Sequence, residues 1–277
     1  MSAPADPERT AAGGALEPTS RFECRVVRPD SAETQSREVI EEQPLRILVN
    51  GAPVATLMRT PGSETELALG FLLTEGIVAS QAEVGAVSFC RDGSLGAVGE
   101  VDVRLVGMAA AQPLPRYRDV FSSCSLCGDE WIDALAEGLA RFDRPPARLR
   151  PADVFRMAVA MVGGQYVFRR TGGAHAAALA VPPFESAVVR EDLGRHNALD
   201  KAVGAALVGG MDLGRALLLL SSRLSFEMVS KAARAGICDV AGVSAPSAPA
   251  VRLAHRLGMF LAWFVRGELR LDTAIGP

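Results

Sequence analysis

Hydrophobic positions in the first half of the chain recur mostly at every second residue, the period of half-buried β-strands. Leu45, Ile47 and Val49 alternate with polar residues and end at Asn50-Gly51, a dipeptide typical of tight hairpin turns. The stretch from Glu64 to Thr74 has helical spacing instead. The pattern therefore predicts one helix there and strands that begin near Phe22 and Leu45, return through Val54 to Met58, and follow at Val84–Phe89 and Val98–Val106.

In the second half, helical and strand-like stretches follow one another, which predicts a sheet covered by helices on both faces. We expect an α+β chain with a three-layer α/β/α domain over residues 146–277 and a smaller α+β domain over residues 21–145. Residues 1–20 lack any periodic pattern, which predicts a disordered tail. The predicted helices are Asp153–Val162, Ala198–Leu207, Phe226–Ala235 and Ala250–Leu257, and the predicted strands are Ala178–Val181, Ala187–Arg190, Ala216–Leu220, Val240–Val243 and Met259–Val265.

Polar or basic residues follow the last three of these strands. The stretches are Ser221-Ser222-Arg223, Ser244-Ala245-Pro246 and Phe264-Val265-Arg266-Gly267. Open α/β sheets bind ligands at the carboxyl edge of their strands. We therefore expect a pocket there for an anionic, phosphate-bearing molecule.

Composition narrows the class of protein. A net charge of -3 over 277 residues, with a pI near 5.7, argues against nucleic-acid binding. The chain has no signal-peptide pattern and no apolar run near the roughly 18 residues of a membrane span. Five cysteines form no secreted disulfide framework, so we expect a cytoplasmic protein.

The chemistry of the chain centres on Ser122-Ser123-Cys124-Ser125-Leu126-Cys127-Gly128. Two thiols at this spacing can ligate zinc, form a disulfide or carry sulfur. A second CxxC is absent, which weakens the structural-zinc alternative and favours reactive thiols, so we expect no structural metal. A helix predicted over Asp129–Phe142 would favour the thiolates through its N-terminus, whereas Asp129 and Glu130 oppose this, and the net direction stays open.

His175 lies in Thr171-Gly172-Gly173-Ala174-His175-Ala176-Ala177, which invites comparison with the zinc-dependent deaminases. Their His-x-Glu signature fails here, because Ala177 stands where the general acid/base belongs. The sequence argues against deamination, although a domain that resembles the cytidine deaminase-like fold with a different pocket stays compatible with it. The alternative for His175 is a loop histidine bonded to backbone groups.

Two further motifs place charge beside predicted turns. The stretch from Glu191 to Lys201 surrounds a glycine turn that opens a helix, where Arg195 and Lys201 suit phosphate contacts and His196 suits proton transfer or hydrogen bonding. A solvated charged turn is the alternative. Hydroxyls, backbone N–H groups and Arg223 lie between a strand and a helix over Ser221–Glu227 and can bind an anion together.

Taken in order, these motifs resemble the FdhD family of formate dehydrogenase accessory sulfurtransferases. The similarity runs from about Glu42 to the C-terminus. Its most specific blocks are Gly70-Phe71-Leu72-Leu73-Thr74-Glu75-Gly76-Ile77, the CxxC loop, Gly173–Ala177, Glu191–Lys201, and Ser221-Ser222-Arg223 continuing into Glu227-Met228-Val229 and Lys231.

The resemblance implies that Cys124 and Cys127 receive sulfur from a cysteine desulfurase as a persulfide, with Cys124 as the carrier. The sulfur would pass to the molybdenum bis(molybdopterin guanine dinucleotide) cofactor before that cofactor enters formate dehydrogenase. It also implies a homodimer, and contact between the guanine dinucleotide and the segment Phe264-Val265-Arg266-Gly267-Glu268-Leu269. Together with His175, Arg195, His196 and Arg223, this segment forms the predicted cofactor-binding site. The alternative is a non-enzymatic chaperone or scaffold that binds the cofactor, in which CxxC only docks a partner.

Overall fold

The computed structural model describes residues 17–91, 99–107, 150–265 and 270–271, and the single residues 132, 136, 138, 139, 141 and 142. The strands are β1 Thr19–Arg28, β2 Ser31–Ile40, β3 Gln43–Val49, β4 Ala52–Arg59, β5 Val84–Arg91, β6 Gly99–Leu105, β7 His175–Ala180, β8 Val188–Asp192, β9 Leu217–Leu220, β10 Asp239–Gly242, β11 Phe260–Trp263 and β12 Arg270–Leu271. The helices are α1 Glu64–Thr74, α2 Pro151–Gly164, α3 Tyr166–Thr171, α4 Arg195–Val208, α5 Phe226–Arg234 and α6 Ala248–Leu257.

The first half contains two separate sheets. Strands β1 and β2 form a two-stranded antiparallel ribbon, and a four-stranded sheet has the order β4-β3-β6-β5. The predicted hairpin at Asn50-Gly51 is confirmed, since both residues have positive φ angles, 52° and 80°, as its turn requires. The Asn50 side chain also accepts a hydrogen bond from the Leu105 backbone N–H at 2.9 Å, which fixes the turn against β6.

The predicted helix α1 is confirmed, and it packs closely on α4. A Cβ at Gly70 would lie 1.8 Å from the backbone oxygen of Asp200, and one at Gly204 would lie 1.8 Å from the oxygen of Glu66. The two helices therefore touch backbone to backbone, which only glycine permits at these positions. Other side chains of α1, such as Leu67, lie in the same buried core as Leu45 of the four-stranded sheet.

The second half forms a six-stranded sheet of order β12-β11-β10-β9-β7-β8. Its two faces bury alternate residues, as the period of a strand requires. Leu218 and Leu220 face the main core, which also contains residues of α4, α5 and α6. Leu217 and Leu219 face a second cluster that contains Met157 of α2. The predicted sheet with helices on both faces is thus confirmed, whereas the likeness to the cytidine deaminase-like fold stays a prediction.

The structure adds three elements that the hydrophobic pattern did not predict: β2, α3 and β12. Strand β1 begins at Thr19, so the last residues assigned to the disordered tail belong to the ribbon, while residues 1–16 lie outside the described part. The proposed boundary at residue 145 stays a prediction, and the main core draws residues from both of its sides. No helix within the described ranges is long and apolar enough to cross a membrane.

Candidate functional site

The topology of the six-stranded sheet collects the predicted site residues at one edge. Strands β9, β10 and β11 run parallel, so the loops that follow them begin at the same edge. Strand β7 runs antiparallel to β9, which places its first residue, His175, at this edge, and β8 returns so that Asp192 pairs with His175. The Ser221 side chain joins the strands here, accepting a hydrogen bond from the Ala176 backbone N–H at 2.8 Å.

Arg195 and His196 open helix α4 at this carboxyl edge. The helix begins after Gly194, which has extended backbone, and its first N–H groups therefore face the edge. Both side chains are about one-third exposed, at 35% each. Two cationic or hydrogen-bonding side chains beside a helix N-terminus form a favourable environment for an anion.

His175 is half-buried close to the same two side chains. Burial lowers the pKa of its imidazole, and the positive charges of Arg195 and His196 lower that pKa further. His175 is therefore neutral at neutral pH and can serve as a hydrogen-bonding group without adding charge. The structure brings together three of the residues predicted from the sequence.

Glu227 is a functional candidate that the sequence argument did not single out. Its Oε2 atom lies 2.8 Å from Nε2 of His196 and 3.8 Å from Nη2 of Arg195. Glu227 comes two residues after Ser225, whose hydroxyl caps helix α5 by accepting the Met228 backbone N–H at 3.4 Å. A serine followed by an acidic residue in the first helical turn was the available signal, and it indicates capping as readily as function.

The loops after β9 and β10 are fixed to each other at the edge. Leu224 is fully buried and pairs with Pro246, donating its backbone N–H to Ala245 at 3.2 Å. Arg223, the residue before it, is exposed. The buried leucine thus anchors the loop and leaves the neighbouring guanidinium free to face solvent at the site.

The segment predicted to contact the guanine dinucleotide begins directly after β11. Phe264 has a φ angle of 56°, unusual for a bulky residue, and the Arg270 guanidinium lies 4.7 Å from its ring centroid. Val265 is buried and donates its backbone N–H to the oxygen of Gly242 at 3.4 Å. Arg266, Gly267, Glu268 and Leu269 lie outside the described residues.

Several polar residues of the Glu191–Lys201 motif have structural roles instead. Lys201 is only 2% exposed and forms a 2.8 Å ion pair with the buried Asp192, so the prediction that it contacts phosphate is wrong. Its Nζ also donates to the Thr60 oxygen at 2.7 Å. The Glu191 carboxylate accepts the first N–H groups of α3, from Val167 at 2.7 Å and from the next residue at 2.8 Å.

A second buried network connects α1, α4 and α5. The Lys231 Nζ lies 2.9 Å from Oδ2 of Asp200 and 2.8 Å from Oε1 of Glu75, and Thr74 donates to Asp200 at 2.7 Å. Burial lowers the pKa of Lys231, but the charges of Asp200 and Glu75 outweigh this and the net pKa is raised. Lys231 is therefore charged at neutral pH and holds the helices behind the site in register.

Cys124 and Cys127 lie outside the described residues. The helix predicted after them is represented by Ile132 and Ala136, which are helical and buried in the main core. Phe142 donates its backbone N–H to the Leu257 oxygen at 2.9 Å, at the end of α6. The chain that follows the CxxC motif is therefore anchored on the core of the second half. Within the described ranges, no three His, Cys, Asp or Glu side chains lie close enough to hold a metal ion.

Comparisons with known proteins show the family to which the chain belongs. A model of the FdhD/NarQ family matches residues 40–270. The chain is 42% identical to the sulfur carrier protein FdhD of Streptomyces avermitilis, over 90% of this chain and 91% of that protein. It is 40% identical to the protein of that name from Mycobacterium tuberculosis, over 90% and 94% of the two chains. It is 44% identical to the protein of that name from Anaeromyxobacter dehalogenans strain 2CP-C, over 82% of this chain and 83% of that protein.

A solved structure has the same fold. The crystal structure of a protein assigned as a formate dehydrogenase accessory protein, from Desulfotalea psychrophila, superposes with a TM-score of 0.72. The superposition covers 91% of this chain and 96% of that one, at 22% sequence identity. This likeness concerns the fold alone.

Proposed function

Because the chain belongs to the FdhD/NarQ family, we propose that it is a sulfur carrier in the maturation of formate dehydrogenase. It takes sulfur from a cysteine desulfurase and passes it to the molybdenum bis(molybdopterin guanine dinucleotide) cofactor, which is its cargo and sulfur acceptor. The observation that carries the proposal is the meeting of His175, Arg195 and His196 at a sheet edge, because a phosphate-bearing acceptor requires such a site. The reaction requires reduced thiols, which places it in the cytoplasm.

The proposed chemistry uses the two cysteines in sequence. The Cys124 thiolate attacks the outer sulfur of the desulfurase persulfide, the donor S–S bond breaks, and the donor cysteine leaves as a thiolate. The Cys127 thiolate then attacks the Cys124 sulfur and expels hydrosulfide, which becomes the ligand delivered to molybdenum. The two electrons that reduce the transferred sulfur come from the thiols, which end as a disulfide that a cellular dithiol reduces.

Under this proposal the basic edge residues hold the acceptor. Arg195 and Arg223 bind phosphate oxygens, and the imidazoles of His175 and His196 supply hydrogen bonds. The segment Phe264–Leu269 contacts the guanine dinucleotide. Substituting Arg195→Gln or Arg223→Gln should weaken binding of guanosine diphosphate roughly tenfold, because each change removes a charge-assisted hydrogen bond. Arg104→Gln on β6, outside the site, is the matched control, and isothermal calorimetry measures all three affinities.

The sulfur-transfer step is tested by mass spectrometry after incubation with a cysteine desulfurase and cysteine. We expect an added mass of about 32 Da, one sulfur atom, that is lost in Cys124→Ala and retained in Cys127→Ala. An adduct that survives Cys124→Ala but not Cys127→Ala reverses the assignment of the carrier. The absence of any adduct on the unmodified protein contradicts sulfur transfer.

The chaperone alternative is separated from sulfur transfer by the double variant Cys124→Ala/Cys127→Ala. Both proposals expect this variant to bind guanosine diphosphate, because the edge residues are unchanged. Only the chaperone predicts that it still activates formate dehydrogenase in cells that lack the natural protein. Full activation by the double variant would therefore reject the sulfur carrier and support cofactor delivery alone.

A further inference from the structure

Thr60 lies in the turn that follows β4, in the first half of the chain, yet each of its polar groups bonds to the second half. Its backbone N–H donates to Oδ2 of Asp192 at 3.0 Å, and its carbonyl oxygen accepts from Nζ of Lys201 at 2.7 Å. Its hydroxyl oxygen accepts from the Leu193 backbone N–H at 3.0 Å. Thr60 is only 1% exposed, so water cannot take the place of these partners.

The segment that this turn contacts is the loop that leads into the candidate site. Asp192 ends β8, and helix α4 begins at Arg195. Oδ1 of Asp192 accepts the Gly194 backbone N–H at 2.9 Å and Nδ2 of Asn197 at 3.1 Å. One buried carboxylate therefore joins the turn after β4 to residues on both sides of Arg195.

The same part of the first half also bonds to the first turn of α4. Nδ2 of Asn197 donates to the Met58 backbone oxygen at 2.7 Å. Arg195 and His196 lie between Asn197 and the bonded glycine, so their backbone is held at both ends. A binding site is precise when the residues around it fix the backbone from which its side chains project. Bonds from the first half therefore determine where these two side chains lie.

We propose that Thr60 is a positioning residue of the anion site, because its hydroxyl group holds the loop before α4 and so sets the positions of Arg195 and His196. The identity of the ligand, a phosphate-bearing molecule, rests on the proposed function. The positioning rests on the contacts of the protein without ligand. Thr60 is buried and does not touch the ligand itself. It acts through Leu193, two residues before Arg195.

The hydroxyl group of Thr60 can be removed without disturbing the buried charges beside it. Replacing Asp192 would leave Lys201 buried without its partner at 2.8 Å, and the protein would lose stability for reasons unrelated to the site. Thr60→Val keeps the shape of the side chain and both backbone bonds, and it removes only the bond to the Leu193 N–H. Thr60→Ser keeps the hydroxyl group and is the conservative variant.

Thr74→Val is the matched control. Thr74 is also a buried threonine of the first half, and its hydroxyl group donates to Asp200 at 2.7 Å and accepts from Lys231 at 2.9 Å. These partners lie behind the site and not in the loop before α4. Removing a buried hydroxyl group should lower the stability of both variants, because it leaves polar partners unsatisfied. Only Thr60→Val should alter the site.

Histidine titration tests the positioning without any ligand. Nuclear magnetic resonance follows the imidazoles of the three histidines in the full-length protein, and the exposed His255 on α6 is the internal reference. Burial and the charges at the start of α4 hold the pKa of His175 below its ordinary value of 6.5. Thr60→Val should let this pKa rise toward 6.5, because the displaced loop carries those charges away and admits water. Thr60→Ser and Thr74→Val should leave it unchanged.

Binding of guanosine diphosphate tests the consequence for the ligand. Calorimetry should show binding about fivefold weaker for Thr60→Val, because the cationic group remains but is misplaced, and unchanged for Thr60→Ser and Thr74→Val. An unmodified protein that does not bind contradicts the proposed function, and the titration of His175 then decides the positioning by itself. An unchanged His175 pKa in Thr60→Val overturns the inference. Equal changes in Thr60→Val and Thr74→Val overturn it too, since they would show a loss of stability alone.

Discussion

At the edge of the site, the Glu227 carboxylate contacts two side chains, Arg195 and His196, that the proposed function assigns to the bound cofactor. It lies 2.8 Å from His196 and 3.8 Å from Arg195, and its side chain is 56% exposed. A bound phosphate must displace this carboxylate or accept its repulsion. Under the proposed function, Glu227 would therefore lower the affinity of the site for phosphate by competing with it.

Glu227→Gln should consequently tighten binding of guanosine diphosphate by up to about fivefold, because an exposed ion pair contributes about 0.2–1 kcal/mol. Isothermal calorimetry measures the change. Glu185→Gln removes an equal charge from an exposed turn and serves as the control. Weaker binding by Glu227→Gln would mean that the carboxylate contacts the ligand favourably, contrary to this interpretation.

His175 makes the stability of the protein depend on pH. Its pKa is lowered from the ordinary value of 6.5, first by burial and then by Arg195 and His196, so the unfolded chain binds a proton more readily than the folded one. The free energy of unfolding should therefore fall as the pH drops below about 6.5. Urea denaturation between pH 7.5 and 5 should show this loss. His175→Gln should make the free energy of unfolding depend less steeply on pH. An unchanged slope would show that other groups dominate.

The residues of the Glu191–Lys201 motif show how far sequence reasoning reaches at this scale. Residue types correctly indicated that the Arg195 and His196 side chains are accessible polar groups beside a helix start. They could not show that Lys201 is buried, because its partner Thr60 comes from a turn 141 residues earlier in the chain. Burial of a charge depends on which distant segment covers it, and hydrophobic periodicity contains no such information.

At the scale of elements, the contact between α1 and α4 depends on two glycines. Gly70→Ala should destabilise the protein by about 1–3 kcal/mol or more, because the new Cβ would lie 1.8 Å from the Asp200 backbone oxygen and the helices must separate. Gly163→Ala in α2 is the matched control. Its Cβ would meet no atom within 4 Å, so helix propensity should stabilise the protein by up to about 1 kcal/mol. Equal effects in urea denaturation would contradict close helix packing.

Periodicity predicted the elements that bury an apolar face. Strand β9 and helix α5 were predicted to within a residue or so at each end, since buried leucines and a Ser225 cap define them. Strand β2 was missed because most of its ten residues are polar and exposed, so it carries no stripe for a core. Helix α3 was missed because it is short and depends on Glu191, a residue of another element, to cap it.

At the scale of the whole molecule, the two halves are joined by burial and by charge. Arg190 of β8 forms a bidentate ion pair with Glu66 of α1, at 2.5 and 2.7 Å. Lys231 of α5 donates to Thr74 at 2.9 Å. These links, with the glycine contact, place α1 between the four-stranded sheet and α4. The strand edge that holds the candidate site is thus supported from behind by residues of the first half.

The second half should therefore not fold alone. A fragment of residues 146–277 would expose the face of α4 that α1 covers, and it would leave Asp200 and Lys231 without Thr74 and Glu75. Breaking a buried network of this kind costs about 3–5 kcal/mol, a large fraction of the stability of a typical domain. We expect the fragment to show no cooperative unfolding transition by circular dichroism, whereas the full chain unfolds in one. A cooperative transition in the fragment would show that the halves are independent domains, and the site would then need no support from α1.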